Sequence, residues 1–112
     1  MPESSTDAQW YTVRCIFRWV SAEESSYEER LTLWQADNLD AAIALAEGEA
    51  TQYARATDVE YLGLAQAYSL SGTPGSGTEV YSLIRESNLS PDDYLDQFFD
   101  TGRERQSHWD EP

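Results

Sequence analysis

The side chains that carry most enzyme chemistry are nearly missing from this chain. His108 is the only histidine and Cys15 the only cysteine, and there is no lysine at all. A Ser-His-Asp or Cys-His arrangement would have to be built on His108, in a polar C-terminal stretch. Without lysine there is no Schiff base and no phosphate-loop ammonium. The run "GTPGSG" has glycines but lacks the Lys-Ser/Thr that follows them in a phosphate loop, so it reads as a loop. One Cys and one His cannot build a zinc site of the usual kind. Acidic pairs occur at Glu23/Glu24, Glu28/Glu29 and Asp92/Asp93. None has the alternate spacing and glycine of a calcium loop. Carboxylates distant in sequence remain the one route to acid–base catalysis. No catalytic residue, metal or cofactor is expected, and the chain reads as a non-enzyme.

The arginines and tryptophans are the other chemically capable groups. All seven basic residues are Arg, against 21 acidic residues, for a net charge of −14. Yet "WYTVRCIFRW", residues 10–19, holds two Trp and two Arg. Guanidinium beside indole suits carboxylates, phosphates, aromatic rings or a protein partner.

Those side chains must be positioned by regular elements. Residues 10–20 alternate with period two and are rich in aromatic and β-branched types, which predicts a strand. Tyr11, Val13, Cys15, Phe17 and Trp19 make one face; Trp10, Thr12, Arg14, Ile16, Arg18 and Val20 make the other. Cys15, on the apolar side, reads as a buried packing thiol. "YEERLTLWQAD" predicts a second strand, joined to the first as a hairpin across the polar "SAEESS". "NLDAAIALAEGEATQYARA" changes to helical period, with Leu39, Ala42, Ile43, Ala46, Ala50, Tyr53 and Ala54 on one stripe. Asp40 or Asn38 caps it, and its alanines suit close packing on a sheet. "VEYLGLAQAYSL" and "TEVYSLIRES" predict a third and a fourth strand, with Gly63 marking a bulge or close approach. Ser90, Pro91, Asp92 and Asp93 are the signature of a second helix start, with Tyr94, Leu95, Phe98 and Phe99 as its apolar stripe and Gly102 past its end.

The order ββαββα predicts an α+β fold: a four-stranded, mostly antiparallel sheet with the long helix on one face and a short C-terminal helix. Residues 10–102 make a single domain between a flexible N-terminus, 1–9, and a flexible tail, 103–112. If Leu31 and Leu33 point to the core, Arg30 and Trp34 join Trp10, Arg14, Ile16 and Arg18 on the face away from the long helix. These six form the expected binding surface. The second helix either covers that face or packs at the sheet edge, leaving it to a partner.

Composition narrows the partners. Hydrophobic residues are 40% and aromatics 12%, enough for a small core. The negative charge excludes nucleic-acid backbone binding and anionic membrane surfaces. It fits steering toward a basic protein. "MPESSTDAQ" lacks the basic and apolar regions of a secretory leader, no run reaches membrane-span length, and a single cysteine suits a reducing compartment. A cytoplasmic protein is expected.

The opening Trp-Tyr strand, the "YEER" strand, the Ala/Glu-rich helix and the "G-x-E-V-Y-S" segment together resemble the bacterial domain-of-unknown-function family 4288, over residues 10 to 87. "SPDDYLDQFFDTG" resembles an extension in actinobacterial-type relatives. The resemblance implies a fold and a bacterial source, with no established activity. The expectation is a small acidic interaction module, immunity- or antitoxin-like or a homodimeric accessory protein. The alternative is a binder of a small anionic ligand or peptide on the Arg/Trp face.

Overall fold

The computed structural model describes residues 9–20 and 24–104. The expected flexible segment 1–9 and tail 103–112 fall mostly outside them. The chain forms two compact units, Met1–Ser82 and Leu83–Pro112.

The first unit is a three-stranded antiparallel sheet with one helix. The strands are β1 (Gln9–Val20), β2 (Ser25–Ala36) and β3 (Glu60–Ser69), and the helix, α1 (Leu39–Thr57), lies between β2 and β3 in sequence. The strand order is β2-β1-β3, so the most aromatic strand is central and both its neighbours are edges. Its alternation explains that place: Tyr11, Val13, Cys15 and Phe17 are all buried, facing α1.

Helix α1 begins where expected. Asn38 is the cap, its Oδ1 accepting the Ala41 N–H at 2.8 Å. It ends at Asp58, whose left-handed backbone (φ 59°) turns the chain into β3. Its buried contacts are small: Ala42, Ala46 and Ala50 are essentially inaccessible. Without larger side chains between them, helix and β1 approach closely, and Phe17 fills the space beside this stripe. Its ring meets Tyr53 edge-on at 5.0 Å and Tyr61 at 5.3 Å.

Two expectations are corrected. Among the described residues the sheet has three strands, not four, and "TEVYSLIRES" is not one of them. Tyr81 supplies the reason. Its hydroxyl accepts from Arg14 Nη1 at 2.6 Å and its ring lies edge-on to Tyr68 at 5.0 Å. Both partners point off the sheet face, so the Tyr81 backbone crosses above the sheet rather than lying beside β3. The loop before it bends at Gly72 and Gly77, with φ of 85° and 82°, values glycine adopts without strain.

The second correction concerns β2. Arg30 pairs with Cys15, Thr32 with Val13 and Trp34 with Tyr11, so these three share the helix face with their partners. Leu31, paired with Arg14, and Leu33, paired with Thr12, point the other way. The order of the β2 faces is the reverse of that expected, because a slip of one residue exchanges all side chains.

Gly63 does mark a bulge. Pairing steps from Cys15–Ala65 to Phe17–Tyr61, so Leu62, Gly63 and Leu64 together oppose Ile16, and Gly63 has φ 81°.

The second unit contains α2 (Pro91–Tyr94), which widens into one π-type turn at Leu95–Phe99. Ser90 Oγ accepts the Asp93 N–H at 3.2 Å, Pro91 takes the first turn, and Asp92 and Asp93 lie at the positive end. Tyr94 and Phe98 stack at 4.9 Å, with the Arg85 guanidinium 4.8 Å above the Phe98 ring. No helix among the described residues is long and apolar enough to cross a membrane.

Candidate functional site: the sheet face away from the helix

The structure divides the six expected surface residues between two places. Trp10, Arg14, Ile16 and Arg18 lie on the face away from α1, as their alternation requires. Arg30 and Trp34 lie on the helix side.

On the helix side the polar groups knit helix to sheet. The Arg30 guanidinium lies 3.7 Å from the Tyr53 ring centroid and 5.8 Å from that of Phe17. Its Nη1 donates to both oxygens of Glu49, at 3.1 and 3.2 Å. Tyr53 donates to Glu28 at 2.7 Å, and Trp19 Nε1 donates to the same oxygen at 2.9 Å. Tyr61 donates to Glu47 at 2.7 Å. Trp34 packs against the core and bonds Thr32 Oγ1 at 2.6 Å. Arg30 has a carboxylate, and the Tyr53 and Tyr61 hydroxyls each have an acceptor, so the layer is a fastening rather than a receptor.

The same layer settles the chemistry of Cys15. Its side chain is buried at 4% exposure. Burial pushes the thiol above its ordinary range, and the nearby Glu47 and Glu49 push the same way against the Tyr61 hydrogen bond. A thiol held protonated is a poor nucleophile. Tyr61 and Tyr53 are also shifted upward, by burial first and then by donation to Glu47 and Glu28.

The far face is organised around Arg14. Its Nη1 donates to Tyr81 and to Glu29 (3.3 Å), and its Nη2 to Gln66 at 2.6 Å, so one guanidinium ties β1 to β2, to β3 and to the crossing segment. Its side chain is only 19% exposed. At the end of the sheet Arg18 bonds Glu60 at 2.7 Å. Both arginines are therefore engaged by carboxylates of neighbouring strands, and neither presents a free guanidinium.

What the face does present is apolar. Leu31 and Leu33 on β2 are each 43% exposed and Leu64 on β3 is 49% exposed, with half-buried Ile16 between the two edges. The sequence reading missed Leu31, Leu33 and Leu64 as surface residues. The signal available was the inward rank of Arg30 and Trp34, whose long stems can cover core surface while their polar ends find partners.

A scan against protein-family models and searches of curated proteins and of solved structures found no match.

Two other arrangements were candidates for chemistry. Among the described residues no group of three or more His, Cys, Asp or Glu side chains is placed to hold a metal ion. In the second unit a depression of about 380 Å³ is lined by Arg85, Ser87, Leu89, Pro91, Tyr94 and Leu95. Its one cation is Arg85, already stacked on Phe98 and 3.4 Å from the Tyr94 hydroxyl.

Proposed function

We propose that this chain is a non-enzymatic protein-interaction module that docks a partner on the sheet face away from α1. One observation carries the reading: Leu31, Leu33 and Leu64 stand exposed on one face, around Ile16, in a domain small enough to need its leucines inside. A face with this much exposed aliphatic surface and no free charged side chain on its central strand suits a protein surface better than a small polar substrate.

The net charge of −14 supports an immunity- or antitoxin-like version, in which long-range attraction speeds capture of a basic protein. A homodimeric accessory protein is the other version. A cytoplasmic, bacterial setting belongs to the same proposal, resting on the single cysteine and on the resemblance to family 4288.

The anionic-ligand alternative loses support from the geometry. It needed Arg30 and Trp34 beside Arg14 and Arg18, and the ladder puts them on opposite faces. The arginines left on the far face are already bonded to Glu29 and Glu60.

The test is a paired capture from host extract with the wild-type chain and the double variant Leu31→Thr/Leu33→Thr. Threonine brings a branched β-carbon that a strand favours while removing most of the apolar surface. The proposal expects the variant to fold normally and to lose the proteins that the wild type retains. Identical retention by both would sink it.

A further inference from the structure

The sheet has two edges, and they are not alike. In the order β2-β1-β3 both outer strands lack a neighbour on one side. The edge of β3 is broken by the bulge at Gly63, a device that turns an edge away from further pairing. β2 has no such break. Its 12 residues pair with β1 in one unshifted register from Ser25 to Ala36. They include no proline, glycine or lysine. No described residue forms a backbone hydrogen bond to the outer side of β2. Helix α1 packs more on β3 than on β2, so it leans away from this edge. A long, regular edge without protection is a template for one more strand.

The residues of β2 select that strand. Its charges, Glu28, Glu29 and Arg30, stand together, and the stretch from Leu31 to Ala36 carries none. When β2 is laid antiparallel on a copy of itself about Thr32, the charged half of each strand runs along the uncharged half of the other. Thr32 opposes Thr32, Leu31 opposes Leu33, Arg30 opposes Trp34, Glu29 opposes Gln35 and Glu28 opposes Ala36. No like charges meet. Opposed residues share a face, so the two Leu31–Leu33 pairs fall on the far face, where each leucine is 43% exposed in the single chain. Neighbouring registers lose this match. Centred on Leu31, the pairing sets Leu33 against Glu29; centred on Arg30, it sets guanidinium against guanidinium; centred on Leu33, it sets Leu31 against Gln35. Arg30 sends no loose charge into the seam, because it is stacked on Tyr53 and bonded to Glu49 of its own chain.

We propose that β2 is a pairing edge, and that its occupant is β2 of a second copy of this chain, antiparallel and centred on Thr32. The two sheets become one, and the contact is isologous about a two-fold axis normal to the sheet. Backbone hydrogen bonds along residues 28–36 hold it, with the leucine pairs beside them. The seam is narrower than a standard protein interface, so pairing needs concentrated protein. It goes beyond the docking reading and stands without it. Edge pairing covers Leu31 and Leu33 from the side and leaves Leu64, on the other edge strand, as open as before, whereas a partner on the far face covers all three.

The test is sedimentation velocity on the full chain over a concentration series, in about 0.5 M salt, where repulsion between two acidic chains is screened within a few ångströms. The wild type is expected to move from 12.7 kDa toward twice that mass. Two double variants read the register. Leu31→Glu/Leu33→Glu sets carboxylate against carboxylate at both leucine pairs and should weaken the dimer at least tenfold. Leu31→Lys/Leu33→Glu sets opposite charges across the same pairs and should recover most of that loss. Should these variants misfold, Thr32→Cys supplies a second measurement. A mild oxidant is expected to join two such chains through a disulfide at the two-fold axis, and to join none carrying Ser26→Cys, which lies at the far end of the strand. A 12.7 kDa species at every concentration, with no cross-link in Thr32→Cys, would overturn the proposal. So would a dimer that responds alike to the two double variants, or equal cross-linking of Thr32→Cys and Ser26→Cys. The docking reading fails separately, when capture from extract is the same with and without Leu31 and Leu33.

Discussion

Arg14 Nη1 donates to the Tyr81 hydroxyl at 2.6 Å, joining the central strand to a residue 67 positions later. The bond decides the path of the chain after β3. It draws Tyr81 onto the sheet face, beside Tyr68, and so keeps the segment around it out of the sheet. Tyr81→Phe should cost about 1 kcal/mol, the net worth of one such hydrogen bond. Faster amide exchange confined to residues near 81, with β1 unchanged, would verify it.

Thr12 lies beside this contact with its Oγ1 buried and unpaired among the described residues. Valine has the same shape without the hydroxyl. Thr12→Val should therefore stabilise the fold by about 1 kcal/mol, measured by urea unfolding. A loss of stability would mean that the hydroxyl has a partner after all.

Arg30 is a structural cation, stacked on Tyr53 and bonded to Glu49. Arg30→Ala should lower stability by about 1–2 kcal/mol, and Arg30→Lys should restore little, because an ammonium lacks the planar stacking surface. Neither change should alter capture of a protein partner once the melting point is taken into account. A specific loss of association in Arg30→Lys would return this residue to the docking surface.

Alkaline pH should unfold the protein through tyrosines on both faces of the sheet. Tyr61, Tyr53 and Tyr81 all have pKa values raised in the fold, with burial the leading cause. A raised pKa means that the native state holds its proton more tightly than the unfolded chain does. That stability is complete below about pH 10, where the free phenol ionises, and is lost as pH rises above it. Urea midpoints should be level at neutral pH and fall steeply above about pH 10. Tyr61→Phe should flatten the fall, and an unchanged slope in that variant would show that Tyr61 is not its source.

The elements that were legible in the sequence are those in which one periodic signal dominates. β1 alternates without conflict, so its buried face could be read directly. Asn38 and Ser90 are unambiguous helix starts, one by side-chain capping and the other with Pro91 behind it. The faces of β2 were not legible, because Leu31 and Leu33 compete with Arg30 and Trp34 for the inside. Hydrophobicity favours the leucines. The helix favours the others: its alanine stripe leaves room over the edge strand, and Tyr53 and Glu49 supply a stack and an acceptor for Arg30. The segment around Tyr81 failed for a related reason. Its alternation suits a strand, but a contact with Arg14 so distant in sequence leaves no local trace. Trp10, Arg14, Ile16 and Arg18 were thus placed on the far face from β1 alone, and the exposed leucines beside them came only with the ladder register.

The most direct measurement of the central claim is radical footprinting of leucine side chains, on dilute protein, concentrated protein and protein added to host extract. Leu39 and Leu45 on α1, exposed at 45% and 47%, are internal controls matched to Leu31, Leu33 and Leu64. The account predicts that Leu31, Leu33 and Leu64 lose reactivity in host extract, or on concentration where the partner is a second copy, while Leu39 and Leu45 keep theirs. Equal reactivity of all five leucines in every condition, or protection of the helix leucines instead, would contradict the far sheet face as the functional surface of this protein.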